Sequence, residues 1–152
     1  MPSLFNPDFV DFLELLDKNK VRFLLIGGYA VILHGFVRST SDMDIFVEKT
    51  EENYFKLKKT YIDFGAPMFD KSEFFNQNFD VWSIGREPSK IDIISQIKGL
   101  TFEESIDYCE WFSLEKFKIP YIHINHLVKT KLATGRNKDL ADIEQLSKLL
   151  NL

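Results

Sequence analysis

The segment that most restricts the fold is residues 41–49, SDMDIFVEK, in which polar and apolar residues alternate. Successive side chains of a β-strand point to opposite faces, so this period of two predicts a strand. The residues that would share one face are Asp42, Asp44, Phe46 and Glu48, and those that would share the other are Met43, Ile45 and Val47. Such a strand requires a sheet with one apolar face and one face that bears carboxylates.

The run before this strand predicts a second strand that ends in a glycine corner. Residues 21–26, VRFLLI, read as a buried strand, and YAVILHG after Gly27-Gly28 begins a short helix. A backbone without side chains lets amides approach phosphate, aided by the positive end of a helix. A tight turn explains the two glycines equally well. Neither a dinucleotide-binding fingerprint nor a P-loop is present.

The first half of the chain predicts helices beside these strands. Asn6-Pro7-Asp8 has the capping residue, proline and acid of a helix start. The apolar stripe of this helix would be Phe9, Phe12, Leu13 and Leu16. A helix from Thr50 would have the stripe Tyr54, Leu57 and Tyr61, and residues 65–75 read as irregular.

The second half predicts more strands and then two helices. The strands would lie near residues 79–84 and 90–95, separated by a turn at 85–88, with edge strands within 108–124. The final helices would span 125–134 and 137–150, with an apolar side formed by Leu140, Ile143 and Leu150. The sum is a single α+β domain over residues 1–152: a mixed β-sheet flanked by helices, with two helices at the C-terminus.

Composition and cysteine content favour a cytoplasmic protein. A length of 152 residues fits one domain. The longest uncharged stretch of the first half, residues 23–37, falls short of the roughly 20 apolar residues that span a bilayer, and the N-terminus lacks a secretion-signal pattern. The single cysteine, Cys109, cannot form an internal disulfide, which fits a reducing compartment. We therefore expect no membrane contact.

Charge is distributed unevenly along the chain. The net charge of −4 disfavours non-specific nucleic-acid binding. Residues 115–139, however, contain six basic and only two acidic residues; the basic ones are Lys116, Lys118, Lys129, Lys131, Arg136 and Lys138. This segment could meet a phosphate-rich ligand, and a solvated helix face explains it about as well.

A third acid stands out because its neighbours are apolar. Asp92 interrupts the segment IDII, and an unpaired buried carboxylate is costly, so such a group is usually paired, hydrogen-bonded or bound to metal. An Asp-x-Asp pair alone is common on solvent-facing strands. Asp42 and Asp44 would lie roughly 6–7 Å apart on one face. With Asp92 from a neighbouring strand, they could form the all-oxygen site that Mg²⁺ prefers, for two ions.

Residues 27–47, GGYAVILHGFVRSTSDMDIFV, resemble the signature of the polymerase-β-type nucleotidyltransferase superfamily. In that superfamily a glycine-rich corner and helix precede an Asp-x-Asp strand, and a third acid lies on a later strand. The spelling RSTSDMD is most similar to small bacterial proteins of the abortive-infection (AbiEii-type) toxin branch and related minimal nucleotidyltransferases. Residues 127–146, LVKTKLATGRNKDLADIEQL, resemble the same branch. The resemblance covers about residues 20–150 and implies the nucleotidyltransferase fold.

The resemblance also implies an activity: transfer of a nucleoside monophosphate from an NTP to a hydroxyl, with release of pyrophosphate. The acceptor would be RNA such as tRNA, a protein or a small molecule. The implied site residues are Gly27 and Gly28, whose amides would hold the triphosphate; Asp42, Asp44 and Asp92, which would bind two Mg²⁺ ions; and Arg38, Lys131 and Arg136, which would contact phosphate or acceptor. Asp92 would also help to deprotonate the acceptor.

The chain departs from the family pattern in two places, and the second of them, after Asn125, motivates an alternative. Tyr29 follows the glycine corner where many members have Ser, and only a short segment follows Asn125 where longer members have a helical domain. A second subunit, in a homodimer, or a partner protein would then complete the acceptor site. The alternative function is a non-catalytic protein of this fold that binds a partner, as in a toxin–antitoxin pair.

Three other residues have competing interpretations. We expect His34 to pack against the sheet rather than to act in catalysis. Asp139 and Asp142 lie on one face of the last helix, where they would pair with Arg136 or Lys138. Alternatively, these two acids would order Lys131 and Arg136 toward the nucleotide.

Overall fold

The computed structural model describes residues 4–36, 38–78 and 80–150 of the chain. The helices within them are α1 (Pro7–Lys18), α2 (Gly27–Leu33), α3 (Glu51–Phe64), α4 (Lys71–Phe75), α5 (Phe102–Asp107), α6 (Ile124–Thr134) and α7 (Asn137–Leu150). The strands are β1 (Phe23–Ile26), β2 (Met43–Val47), β3 (Val81–Ile84), β4 (Ile91–Ile94), β5 (Glu110–Ser113) and β6 (Lys118–Tyr121).

The strands form one mixed sheet in the order β3-β4-β2-β1-β6-β5. The pairs β2–β4 and β1–β6 are parallel, and the other neighbouring pairs are antiparallel. Helices cover both faces, and α6 and α7 end the described chain. The predicted α+β class, with a mixed sheet flanked by helices and two C-terminal helices, is confirmed.

Each face of the sheet has its own apolar core. On one face Met43, Ile45 and Ile93 pack with side chains of α1 and α3. On the other, which we call the cleft face, Leu24 and Phe46 pack with side chains of α5, α6 and α7. The alternation within β2 therefore directs Met43 and Ile45 to one core and Asp44 and Phe46 to the cleft face, as the sequence predicts.

The first and third helices form where their caps and stripes predict. Asn6 Oδ1 accepts a hydrogen bond from Phe9 N at 3.0 Å, and Pro7 occupies the first turn. The predicted apolar stripe of α1 is buried in full. Thr50 caps α3 through Asn53 N, and Gly65 ends it in the left-handed conformation. Both helices follow from signals within about four residues along the chain.

Two short helices correct the sequence-based reading. Residues 65–75 are predicted to be irregular, but the last five of them form α4. This helix buries Phe74 against Phe69 and Trp82. The helix α5 was not predicted, although Thr101 Oγ1 accepts from Glu104 N in the cap that the spacing Thr-x-x-Glu favours. The predicted strand 79–84 begins at a residue outside the described part, and β3 covers its remainder from Val81.

The predicted apolar side of the last helix is wrong for two of its three residues. Leu140 and Leu150 are 51% and 45% exposed, and Ile143 is half-buried. Among the described side chains of α7, the buried ones are instead Leu146 and the two acids Asp139 and Asp142. These carboxylates can be buried because cations from neighbouring elements bind them, which residue hydrophobicity along one helix does not reveal. In the described residues, no helix is long and apolar enough to cross a membrane.

Candidate active site

The three acids converge because two parallel strands bring distant parts of the chain into register. Asp44 of β2 pairs with Asp92 of β4, so the two residues are direct neighbours across the strands. Asp42 precedes β2 and lies two residues before Asp44, on the same face of an extended chain. All three line one cleft of about 590 Å³, near the N-terminal ends of the central strands β2 and β4.

All eight residues predicted for the site line this cleft. They are Gly27, Gly28, Arg38, Asp42, Asp44, Asp92, Lys131 and Arg136. Lys138 and Asp142 of α7 line it as well. The structure therefore brings the predicted residues together; the role of each stays a prediction.

The glycine corner is needed for close approach. Gly27 has a left-handed φ of +70°, and a Cβ there would overlap the Asp44 carboxylate. A Cβ on Gly28 would lie 2.6 Å from Thr40 Oγ1. The helix α2 starts at once, and its cap residue Ile26 provides no side-chain hydrogen bond. The first amides of α2 thus lie beside the acids without a capping side chain.

The tyrosine that departs from the family pattern belongs to the core. Tyr29 is buried and stacks on Phe5, with ring centroids 4.8 Å apart, while Phe9 meets its ring edge-on. Its side chain is used to fix α2 against α1. Hence it does not supply a hydroxyl at the glycine corner.

Asp44 is the least compensated of the three acids. Burial raises its pKa, and the nearby carboxylates of Asp92 and Asp42 raise it further, to about 6. No residue in the described part of the chain forms a hydrogen bond or ion pair with its carboxylate. The negative charge of Asp44 is therefore unfavourable in the free protein.

Asp42 and Asp92, in contrast, have partners. Ser41 Oγ donates to Asp42 Oδ1 at 3.2 Å, and Ser83 Oγ donates to Asp92 Oδ1 at 2.6 Å. Lys90 Nζ lies 3.6 Å from Asp42 Oδ2 and 3.7 Å from Asp92 Oδ1. The carboxylates of Asp92 and Asp42 raise the pKa of Lys90, so its side chain is a cation.

The donor set has the chemistry of a magnesium site. Three carboxylates supply only oxygen, which is what Mg²⁺ prefers, and Asp44 has an unused carboxylate. As they stand, however, no three potential ligands among the described residues are close enough together to hold an ion. The residues fit the ion in type and in location, and side-chain movements would have to bring their carboxylates together.

The opposite wall of the cleft is a cluster of paired charges, which we call the ion network. Its members are Arg38, Lys131, Arg136, Asp139 and Asp142. Asp142 Oδ2 binds Arg38 Nη1 at 2.6 Å and Lys131 Nζ at 2.8 Å. Asp139 Oδ2 binds Arg136 Nε at 2.7 Å, and its Oδ1 lies 3.5 Å from Lys131 Nζ. The network joins α6 and α7 to the loop before β2.

Asp139 is strongly stabilised as an anion. Burial raises its pKa, but hydrogen bonds from Arg136 and Thr134 and the charge of Lys131 outweigh burial and hold the pKa at about 2. The predicted pairing with Arg136 is present, whereas that with Lys138 is not found among the described contacts. Asp139 and Asp142 also hold Lys131 at the cleft, which is the geometry that the alternative reading requires.

Three residues of the site were missed by the sequence reading: Lys90, Ser83 and Lys138. Lys90 could have been found, because a period of two places it on the same face as Asp92. Ser83 faces Asp92 only through the pairing of β3 with β4, for which the sequence has no local signal. The sequence identifies Lys138 as part of the basic segment, but it does not predict that this lysine lines the cleft.

Two other predictions can be compared with the structure. The His34 ring lies 5.0 Å from that of Tyr121, and its Nε2 is 2.7 Å from Ile122 O, so it packs against the sheet as predicted. Burial lowers its pKa. Three of the six basic residues of segment 115–139 line the cleft, namely Lys131, Arg136 and Lys138. The other three lysines of that segment are exposed elsewhere.

Comparison with known proteins identifies the fold. No protein-family model matches the sequence, and no curated protein matches it. Among solved structures, the chain is similar to a proposed nucleotidyltransferase from Thermotoga maritima, with a TM-score of 0.59, 16% identity, and coverage of 97% of this chain and 96% of that one.

Two antibiotic-modifying proteins have similar structures. For the lincosamide antibiotic adenylyltransferase LnuA with bound lincomycin, the TM-score is 0.63, the identity 20%, and the coverage 96% of this chain and 98% of that one. For ANT(2″)-Ia in complex with adenylyl-2″-tobramycin, the values are 0.62, 11%, 93% and 87%. The assignment to the AbiEii-type branch stays a prediction. The chain has the polymerase-β-type nucleotidyltransferase fold.

Proposed function

We propose that this protein is a metal-dependent nucleotidyltransferase that moves a nucleoside monophosphate from an NTP to a hydroxyl and releases pyrophosphate. The observation that carries the proposal is the register of Asp44 with Asp92 beside Asp42, in a cleft that also contains the glycine corner. The carboxylates could hold a metal ion, and the cations on the opposite wall could bind phosphate. This arrangement suits a reaction between a hydroxyl and a triphosphate.

The three acids would hold the metal. Bound Mg²⁺ would supply activation of the acceptor hydroxyl and neutralisation of charge on the leaving pyrophosphate. Asp42 and Asp44 would contribute ligands from one strand and Asp92 from the next. The unfavourable charge of Asp44 supports this role, because a cation would compensate it.

The transfer would exchange one bond at the α-phosphorus of the NTP for another. The acceptor oxygen bonds to the α-phosphorus, and the bond from that phosphorus to the bridging oxygen breaks, so pyrophosphate leaves with the electron pair. Asp92 would accept the acceptor proton. Ser83 and Lys90 both bind its Oδ1, and no described residue forms a hydrogen bond with its Oδ2.

The cations of the opposite wall would bind the triphosphate. Arg38, Lys131 and Arg136 lie in the same cleft, and Lys138 adds a fourth positive charge. The ion network fixes the first three in place before a ligand arrives, which lowers the entropy that binding would otherwise lose. The glycine-corner amides would bind the phosphates from the other side.

We further propose a small hydroxylated molecule as the acceptor. Two proteins of similar structure and similar length are described with lincomycin or with adenylylated tobramycin. A second cleft of about 280 Å³ adjoins Asp44 between β4 and α6, and it shares Asp44 and Lys131 with the first. This volume is near the lower end of the range of small-molecule sites, about 300–1,000 Å³.

The test is a transfer assay with the purified chain, Mg²⁺ and each α-labelled NTP in turn. Cellular RNA, protein and small metabolites are supplied as separate acceptor pools. Label in the metabolite pool alone is the expected result, and label in RNA or protein would replace the proposed acceptor.

Two variants make the assay specific. Asp42→Asn/Asp44→Asn should transfer no label, whereas Asp11→Asn, which removes an exposed acid from α1, should transfer as the unaltered chain does. No label in any pool from the unaltered chain would contradict the proposed chemistry. Retained transfer in the double variant would contradict the assigned residues.

A further inference from the structure

Lys90 lies where the cleft is most negative. Its ammonium is within 4 Å of a carboxylate oxygen of both Asp42 and Asp92, and it precedes β4 by one residue. The backbone oxygen of Lys90 accepts a hydrogen bond from Met43 N at 3.0 Å, which anchors this residue beside β2. The side chain is about one-third exposed, so it has room to move.

The other cations of the cleft are placed differently. Arg38, Lys131 and Arg136 are bound to the acids of the ion network, on the wall opposite the strands. We call Asp42, Asp44 and Asp92 the acidic triad. Within the described residues, Lys90 is the one cation that forms ion pairs with members of this triad. Its position is therefore separate from the group of cations that faces a triphosphate.

We propose that Lys90 is an internal counter-ion that competes with a divalent cation for Asp42 and Asp92, so that metal binds well only together with nucleotide. This inference rests on the proposed function, because it assumes that the acids are the metal ligands. An ammonium and a divalent cation cannot both occupy the space between the two carboxylates, and like charges at this distance repel.

The competition has a direct consequence for the order of binding. In the free protein, Lys90 offsets part of the charge of the triad and keeps Asp42 and Asp92 occupied. A nucleotide adds several negative charges to the cleft, which offers the ammonium other partners and raises the affinity for the metal. Without nucleotide, therefore, Mg²⁺ binds only weakly to the site.

The test measures Mn²⁺ binding to the full chain without nucleotide, from the free Mn²⁺ signal in electron paramagnetic resonance. We expect Lys90→Met to bind Mn²⁺ about tenfold more tightly than the unaltered chain, because one repelling charge is removed. Lys90→Arg keeps the charge and should stay near the unaltered value. Lys58→Met removes an equal charge from the exposed surface of α3 and should change little.

Two further measurements locate the effect. Adding Asp44→Asn to Lys90→Met should abolish the gain, which would place the tighter ion at the triad. With α,β-methylene-ATP present, the difference between Lys90→Met and the unaltered chain should shrink to less than about threefold. Lys90→Gln and thermal unfolding of every variant guard against a folding defect.

The inference is overturned if Lys90→Met binds Mn²⁺ no more tightly than the unaltered chain, or if Lys58→Met gains as much. Its failure is distinct from failure of the proposed function. Tighter Mn²⁺ binding without label transfer in any pool would leave Lys90 as a counter-ion and remove the transferase assignment. Label transfer with unchanged Mn²⁺ binding would do the reverse.

Discussion

The acidic triad and the ion network face each other across one cleft, yet their buried carboxylates differ in how well their charge is compensated. The network's two acids have cations within 2.8 Å, and the pKa of Asp139 is held at about 2. Asp44 of the triad has no described partner, and its pKa is raised to about 6. The charges of one wall are paired in the free protein, whereas the other wall includes an acid, Asp44, whose charge is not.

This difference separates charges that stabilise the fold from charges that would need a ligand. Charges that satisfy one another, as in the ion network, need nothing further and hold their elements in place. Charges that repel, as those of the triad do at Asp44, reduce stability, and a bound cation would offset the repulsion. A carboxylate in such a position is a stronger indication of function than its presence in an Asp-x-Asp pattern.

The largest expected effect is that of Asp44→Asn. Transfer should fall about a thousandfold or more, because a metal ligand is lost. The free energy of unfolding at pH 7 should rise by about 1–2 kcal/mol, because an uncompensated charge is removed. Transfer assays and urea unfolding measure the two changes. A variant both inactive and less stable would contradict the assigned charge imbalance.

Gly27→Ala should destabilise the chain by about 2–4 kcal/mol, through left-handed strain and overlap with the Asp44 carboxylate. Gly65→Ala is the matched control, since Gly65 has a similar φ but nothing within 4 Å of an added Cβ. It should lose only about 1–2 kcal/mol, the cost of the left-handed conformation alone. Equal losses in urea unfolding would mean that the contact with Asp44 does not require glycine.

Asp139→Asn should behave opposite to Asp44→Asn and lower the free energy of unfolding by about 2–3 kcal/mol at pH 7. That value corresponds to the difference between its folded pKa of about 2 and its ordinary 3.8. Chemical denaturation measures the loss. If both Asp→Asn variants changed stability in the same direction, the contrast between the two walls would fail.

The smallest effect is the pH dependence of that loss. Because the folded pKa of Asp139 is depressed, its stabilisation is present above about pH 4 and fades as the pH falls toward about 2. The difference in unfolding free energy between the unaltered chain and Asp139→Asn should shrink by about 1 kcal/mol between about pH 5 and pH 3. A constant difference would exclude ionised Asp139 as its source.

The sequence predicts those features whose signals are local. The cap at Asn6, the stripe of α1 and the alternation of β2 each depend on residues a few positions apart. Asp92 was recognised because its neighbours in β4 are apolar. These signals place the acids on strands, and the parallel pairing of β2 with β4 then brings them together.

The sequence does not predict what depends on distant partners. Ser83 reaches Asp92 through the pairing of β3 with β4. Asp139 and Asp142 are buried because cations of α6 and of the loop at Arg38 bind them, so a hydrophobicity pattern assigns α7 the wrong buried side. The short helices α4 and α5 have too few residues to show a clear period.

The parallel pairing of β2 with β4 also affects folding. In the unfolded chain Asp44 and Asp92 are far apart, so their repulsion arises only when these strands pair. An ion that bridged them would bind the folded chain and not the unfolded one, and would therefore raise the melting temperature as its concentration increased. The same contact that weakens the empty protein would thus make its thermal stability a reporter of divalent ions.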